Sequence, residues 1–292
     1  MVQVGRYFLG YRREEQERLQ LQAQMLLEEA RWLFDRIGIP EGAAVVEIGC
    51  GPRGALDLLS ERVGQGGTVT GVERNEDSVR LARQFLGERN LRNVEVILGD
   101  ARATGLPRGV FDVATARLVL VNVPNPEQIV GEMVALVRPG GIVAVYEADW
   151  VGVLCDPPLP AWSRLTELLS NYSSKNGIDL FVGRKIPRML RNAGLIDIET
   201  IPLIHFAPPG HQHRNLLLDF AENLRDRLIG FEMVGEGEFN DLVSSLRWHI
   251  EDPDTLVLPG IFSQVWGRRP LQKAAGASIA KSALSLDLPY IS

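Results

Sequence analysis

The residues of this chain best suited to chemistry lie in one stretch, Ala44 to Gly54, which reads A-V-V-E-I-G-C-G-P-R-G. Gly49, Gly51 and Gly54 have the spacing G-x-G-x-x-G, a turn in which backbone can come close to a ligand where a β-carbon would clash. Glu47 stands two residues before the first glycine, inside an apolar run. A carboxylate buried there needs a positive charge or donors to offset its lost hydration. Two more acids close apolar runs: Glu73 follows Thr68 to Val72, and Asp100 follows Val94 to Leu98. A glycine turn backed by acids at strand ends is a pattern for holding a nucleotide, although the turn by itself is also compatible with binding nothing.

The elements that must position these groups alternate. Ala44 to Ile48 is a strand whose nearly unbroken apolar run suits a parallel sheet covered on both faces. Pro52 suits a first helical turn, and Ala55 to Val63 is a short helix. Strands follow over Thr68–Val72, Val94–Leu98, Phe111–Ala116 and Ile142–Glu147, with helices between them, one capped by Asn75 and another running from Pro126 to Val137. Arg138-Pro139-Gly140-Gly141 reads as a sharp turn. The expected fold is α/β: a Rossmann-like, doubly wound, mostly parallel sheet of seven strands with helical cap insertions.

Arg12 to Ile37 reads as one amphipathic helix, with Leu19, Leu26, Ala30, Leu33 and Ile37 at three- and four-residue steps, and Gly38, Pro40 and Gly42 end it. A helix packed on the core explains it; a lid or an arm exchanged between subunits of a homo-oligomer is the sharper reading. Beyond Asp149 the rhythm changes. Helices are expected over Trp162–Tyr172, Gly183–Ala193, Leu216–Ile229 and Phe239–Ile250, and strands over Ile196–Phe206 and Leu256–Trp266. The division expected is an N-terminal helical arm over 1–40, a ligand-binding core over 41–150, substrate-binding insertions with the last strands over 151–270, and a loose tail over 271–292.

The chain has 292 residues, 45% of them hydrophobic, and a net charge of −6, enough for one large core but with no basic surplus to suggest nucleic acid or an anionic membrane as partner. Cys50 and Cys155 are too few for a disulfide framework, and Cys50 reads as a packing residue. No stretch reads as a signal peptide or a membrane span, so the expected location is the cytoplasm.

Glu47 bears on which nucleotide binds. The phosphates of NAD would meet repulsion from it, whereas S-adenosylmethionine (SAM) brings an ammonium and a sulfonium close to that turn. Glu73 suits the ribose diol of either cofactor, and Asp100 can accept from an exocyclic amine. With these positions in place, the sequence resembles the class I SAM-dependent methyltransferases, most closely the small-molecule branch that includes quinone and secondary-metabolite methyltransferases. The resemblance covers roughly Glu41 to Asp149, through V-E-I-G-C-G, V-E-R, G-D-A, F-D-V-A-T-A-R-L-V-L and V-R-P-G-G. It implies that Glu47, Gly49 and Gly51 surround the methionine end of SAM. It further implies that Glu73 binds the ribose, that Asp100 with Ala101 meets adenine, and that backbone at Arg117 and Leu118 lies beside the methionine group. Where the family has glycine after Cys-Gly-Pro, this chain has Arg53, either a partner for the SAM carboxylate or a solvated first-turn arginine.

The resemblance leaves the acceptor open. The Asn/Asp-Pro-Pro-aromatic turn of adenine N6 enzymes of this fold is replaced by A-R-L-V-L, which disfavours nucleic-acid amines. His211-Gln212-His213 has a metal-like spacing, but a polar loop explains it better, so no metal is expected. Candidate general bases are Asp149 and the histidines His205, His211, His213 and His249, with Asp149 and His205 put forward. Tyr7, Tyr11, Trp150, Tyr172 and Phe181 are candidate walls of the acceptor pocket. The leading expectation is O- or C-methylation of a small secondary metabolite, prenylated or aromatic. The alternatives are a SAM-binding protein catalysing a non-methylating step such as cyclisation and, more remotely, an NAD-dependent oxidoreductase.

Overall fold

The computed structural model describes residues 13–271, and side chains from residue 16 onward. Tyr7, Tyr11 and the tail from 272 lie outside the described residues. Seven strands form one sheet: β1 (Ala44–Ile48), β2 (Thr68–Glu73), β3 (Val94–Leu98), β4 (Phe111–Arg117), β5 (Val137–Asp156), β6 (Ile196–Ile204) and β7 (Leu256–Arg268). Their order is β3-β2-β1-β4-β5-β7-β6, with β7 antiparallel to both neighbours and the first five strands parallel. The order reverses between β1 and β4, and a crevice opens at their C-terminal ends, where sheets of this kind bind ligands. This is the α/β sheet expected from the alternating pattern.

Alternation along β1 divides the core. Val45 faces a cluster built with α2 (Leu27–Ile37), α3 (Leu56–Val63) and α4 (Glu76–Glu88). Val46 and Ile48 face the opposite cluster, with α5 (Pro126–Leu136) and α7 (Ile186–Asn192). A third cluster lies under a helical cap of α6 (Pro160–Lys175), α8 (Leu216–Gly230) and α9 (Glu236–Glu251), with Leu165, Leu224 and Leu246 fully buried. Among the described residues no helix is long and apolar enough to cross a membrane.

The structure departs from the sequence reading in two places. The first helix divides at Leu26 (φ −91°, ψ 13°) into α1 (Arg13–Met25) and α2. The bonds Leu26 N–H to Gln22 O (3.1 Å) and Ala30 N–H to Leu26 O (3.0 Å) survive, so the chain bends there without a loop. The second departure is the length of β5. It starts at Val137, so Arg138 to Gly141 is not a free turn: Gly140 N–H donates to Arg269 O at 2.8 Å. It also continues beyond Glu147 to Asp156, because β7 runs alongside it and pairs with Cys155 and Asp156 after a bulge between Asp149 and Val153.

Candidate active site

Strand β1 delivers Glu47 into a buried position, 1% exposed, on the face shared with Val45. Each carboxylate oxygen accepts from Ala55 N–H, at 3.1 and 2.9 Å, and Oε1 also accepts from Arg117 Nε at 3.1 Å. The two side chains are 6% and 2% exposed, so this ion pair lies inside the protein. Burial pushes the Glu47 carboxyl up from its ordinary range, against the pull of the Arg117 guanidinium. The positive charge that the buried acid demands therefore comes from within the chain. Arg117 Nη1 is buried with no hydrogen-bond partner.

The glycines answer to this arrangement. Gly54, at φ +60°, leaves Glu47 Oε2 so close that a β-carbon there would clash with it. Gly49, at φ +65°, would place one 2.6 Å from Val119 Cγ2. Arg53 turns away from the crevice. It pairs with Asp57 at 3.2 Å and lies over the Phe85 ring at 5.0 Å, outside the cavity wall, so the pairing with a cofactor carboxylate considered from sequence has no geometric support.

Glu73, at the end of β2, accepts from Gly51 N–H at 3.1 Å and Asn75 N–H at 2.8 Å, and burial raises its pKa. Asp100, after β3, is clamped by Arg102 through Nε at 2.9 Å and Nη2 at 2.6 Å, and these bonds hold its pKa at about 2. The sequence reading missed Arg102, although its position two residues beyond an acid within reach of a turn was the available signal.

One cavity of about 740 Å³ joins these groups. Glu47, Gly49, Gly51, Glu73 and Arg117 line it, with Asp100, Ala101 and Leu118 at the same end. Trp150 and Tyr172 line it toward the cap, where Trp150 stacks on Phe220 at 5.8 Å and Tyr172 lies 6.1 Å from Phe231. Helix α1 contributes Arg18, Leu19 and Gln22 to the wall.

Besides Arg53, three expected site residues are placed elsewhere. Asp149 is 2% exposed but does not line the cavity; Arg184 grips it through Nε at 2.7 Å and Nη2 at 2.6 Å. Burial pushes the Asp149 carboxyl up, the bonds from Arg184 and Val151 together outweigh it, and the net shift is downward, which is wrong for a proton acceptor. Phe181 is 38% exposed under the Arg184 guanidinium, outside the cavity wall. His205 lies behind the wall, edge-on to Phe262 at 5.4 Å and with Nε2 3.8 Å from Glu29. The other histidines also lie outside the wall: His249 Nε2 is 2.8 Å from Pro157 O, and His213 is buried, held at a pKa of about 4 by burial and by its neighbours His211 and His205.

This sheet order and crevice are those of the class I methyltransferase fold. A sequence profile described as a methyltransferase domain matches residues 39–194, and the chain belongs to that family. Relatives include a demethylmenaquinone methyltransferase of Listeria welshimeri, 29% identical over 46% of this chain and 54% of the relative. Another is the nocamycin O-methyltransferase of Saccharothrix syringae, 34% identical over 46% of each chain. The chain thus spans about half the length of these curated relatives. The phosphoethanolamine N-methyltransferase 2 of Haemonchus contortus, solved with S-adenosyl-L-methionine, shares the fold at a TM-score of 0.54 and 16% identity, over 84% of this chain and 53% of that one.

Proposed function

We propose that the protein transfers the methyl group of SAM to a small apolar acceptor held beneath the α6–α8 cap. The observation that carries this reading is the unpartnered, buried Arg117 Nη1 in the cavity wall beside Glu47. A guanidinium N–H without a partner in that position asks for an anionic oxygen, and the carboxylate of the methionine moiety supplies one. In this reading Glu73, fixed by two backbone N–H groups, accepts from the ribose diol, and Asp100 with Ala101 borders the adenine. When bound, SAM supplies a methyl carbon activated by its sulfonium.

The chain's own task is to align and dry the reacting groups. Among the described residues, the cap half of the cavity has no carboxylate or imidazole in its wall. An acceptor there attacks without first handing a proton to such a side chain, which favours an electron-rich carbon or an oxygen that arrives ionised. Trp150, Tyr172, Phe220 and Phe262 put aromatic rings in the wall, and such rings attract a passing cation. The apolar wall, and relatives named for menaquinone and nocamycin chemistry, support a prenylated or aromatic metabolite as acceptor. The test is incubation with methyl-labelled SAM and a small-molecule extract, followed by mass spectrometry. Label in a product together with S-adenosylhomocysteine is the expected result; failure of the protein to bind SAM in calorimetry would refute the proposal.

A further inference from the structure

We infer that Asn122 is a positioning residue for methyl transfer: it holds Leu118 in a left-handed backbone conformation and so fixes the wall that bounds the methionine end of SAM. This rests on the methyltransferase reading above and adds to it a residue that acts through its neighbour. Leu118 is the first residue beyond β4, next to Arg117, and has φ +53°. Asn90, Asn125 and Asp197 also have positive φ, but Asn and Asp tolerate it. For a leucine the left-handed form is disfavoured about tenfold against right-handed backbone. Both Leu118 and Asn122 line the cavity.

Leu118 leaves that conformation by rotating one of the two peptide groups that flank it, and each is held. Its N–H donates to Tyr146 O at 2.8 Å, on the neighbouring strand β5. Its carbonyl accepts from Asn122 Nδ2 at 2.9 Å. Asn122 reaches back because one turn of 3-10 helix, Leu120–Asn122, brings it round, closed by Asn122 N–H to Val119 O at 3.1 Å. The same turn aims Leu120 N–H at the Glu147 carboxylate, 2.7 Å away.

Strained backbone persists where its surroundings over-determine it, and it concentrates at ligand sites. Here the cofactor end of the cavity depends on it. Leu118 stands between Arg117, which ends β4 against Glu47, and Val119, whose Cγ2 packs on Gly49. Rotation at Leu118 moves Val119 off the glycine turn and changes the wall between Arg117 and Gly49. The bond from Asn122 is comparable in size to the preference it opposes. Without it the left-handed form loses population, and apparent cofactor affinity falls by the same fraction.

The test is calorimetry with S-adenosylhomocysteine on the full chain, in a cycle of Asn122→Ala and Leu118→Gly. Asn122→Ala should bind about tenfold more weakly than the wild type. Glycine takes positive φ about as readily as negative, so in the Leu118→Gly background the same change should cost less than about threefold. A contact of Asn122 with the cofactor itself, or a general loss of stability, would weaken both backgrounds equally. Asn122→Asp, of the same shape but with no N–H to give, serves as the second variant should the first lose its fold, as judged by circular dichroism. Equal losses in the two backgrounds, or an unchanged affinity in a folded Asn122 variant, would overturn the inference and leave the cofactor reading intact. A wild type that does not bind S-adenosylhomocysteine would refute the cofactor reading and this inference with it.

Discussion

Arg117 and Glu47 form an ion pair 70 residues apart in sequence, Nε to Oε1 at 3.1 Å, with each side chain nearly sealed from solvent. Adjacent parallel strands bring them together: Glu47 is level with Thr115 of β4, and Arg117 ends that strand two residues later. One face of the guanidinium thus neutralises the acid, while Nη1 is left for another partner.

That division of labour separates stability from binding. Arg117→Met strands a buried carboxylate and should cost about 3–5 kcal/mol, read by urea unfolding. SAM affinity should fall more than about tenfold, by loss of a charge-assisted bond, read by calorimetry. The double variant Glu47→Gln with Arg117→Met should recover most of the stability and none of the affinity. Recovery of both would mean that Arg117 acts only through Glu47.

Gly54 tests the close approach of Glu47 to the backbone. Gly54 and Gly105 both have positive φ, +60° and +74°, but a β-carbon at Gly105 meets nothing within 4 Å, whereas at Gly54 it meets the Glu47 carboxylate. Gly105→Ala should cost only the left-handed backbone penalty, about 1–2 kcal/mol. Gly54→Ala should cost about 1–3 kcal/mol more, the range for overpacking a close contact. Equal losses by thermal unfolding would show that the carboxylate moves aside freely.

The glycine turn, the alternating strands and the acids at their ends were legible because each is a local pattern: an apolar run, a Gly-x-Gly, an acid at a boundary. The partners of those acids were not. Arg117 lies far from Glu47 in sequence, and only the strand order places it there. Asp149 looked available for catalysis because Arg184, which grips it, comes 35 residues later. Phe181 reads as apolar in sequence, yet its ring lies under that same exposed arginine. The bend at Leu26 left no trace either, since Leu26 fits the apolar stripe on both sides of it.

Glu147 gives the fold a pH dependence. Its carboxylate, fully buried midway along β5, accepts from Leu120 N–H at 2.7 Å and Ala148 N–H at 3.0 Å. Burial raises its pKa to about 7 from an ordinary 4.5. The folded state therefore holds this proton more tightly than the unfolded chain does. The stability linked to it is complete below pH 4.5 and is lost as the pH rises to about 7. The amount is at most about 3.5 kcal/mol, since one unit is worth about 1.4 kcal/mol. Urea unfolding at pH 5 and pH 8 should show the loss in the wild type and a smaller one in Glu147→Gln, whose side chain has no proton to release. An identical pH dependence in the two proteins would place the effect elsewhere.

Asp149 supplies the sharpest contrast between a base and a brace. Beyond the Arg184 bonds it accepts from Val151 N–H at 2.9 Å and Arg184 N–H at 3.0 Å, and so ties the bulge of β5 to the turn before α7. Asp149→Asn retains one amide oxygen for these donors but loses the charge. A general base lost this way would slow the reaction by about 100-fold to 10,000-fold and remove an ionisation from the pH profile of kcat/KM. The expected outcome is instead a stability loss of about 1–3 kcal/mol, as donors to a charged group lose part of their partner. The rate should change by less than about tenfold, with the profile unmoved. Arg184→Met should reproduce the same pattern, since it breaks the same pair from the side that no proton-transfer role could involve. A pH profile altered in Asp149→Asn and intact in Arg184→Met would restore Asp149 as the base.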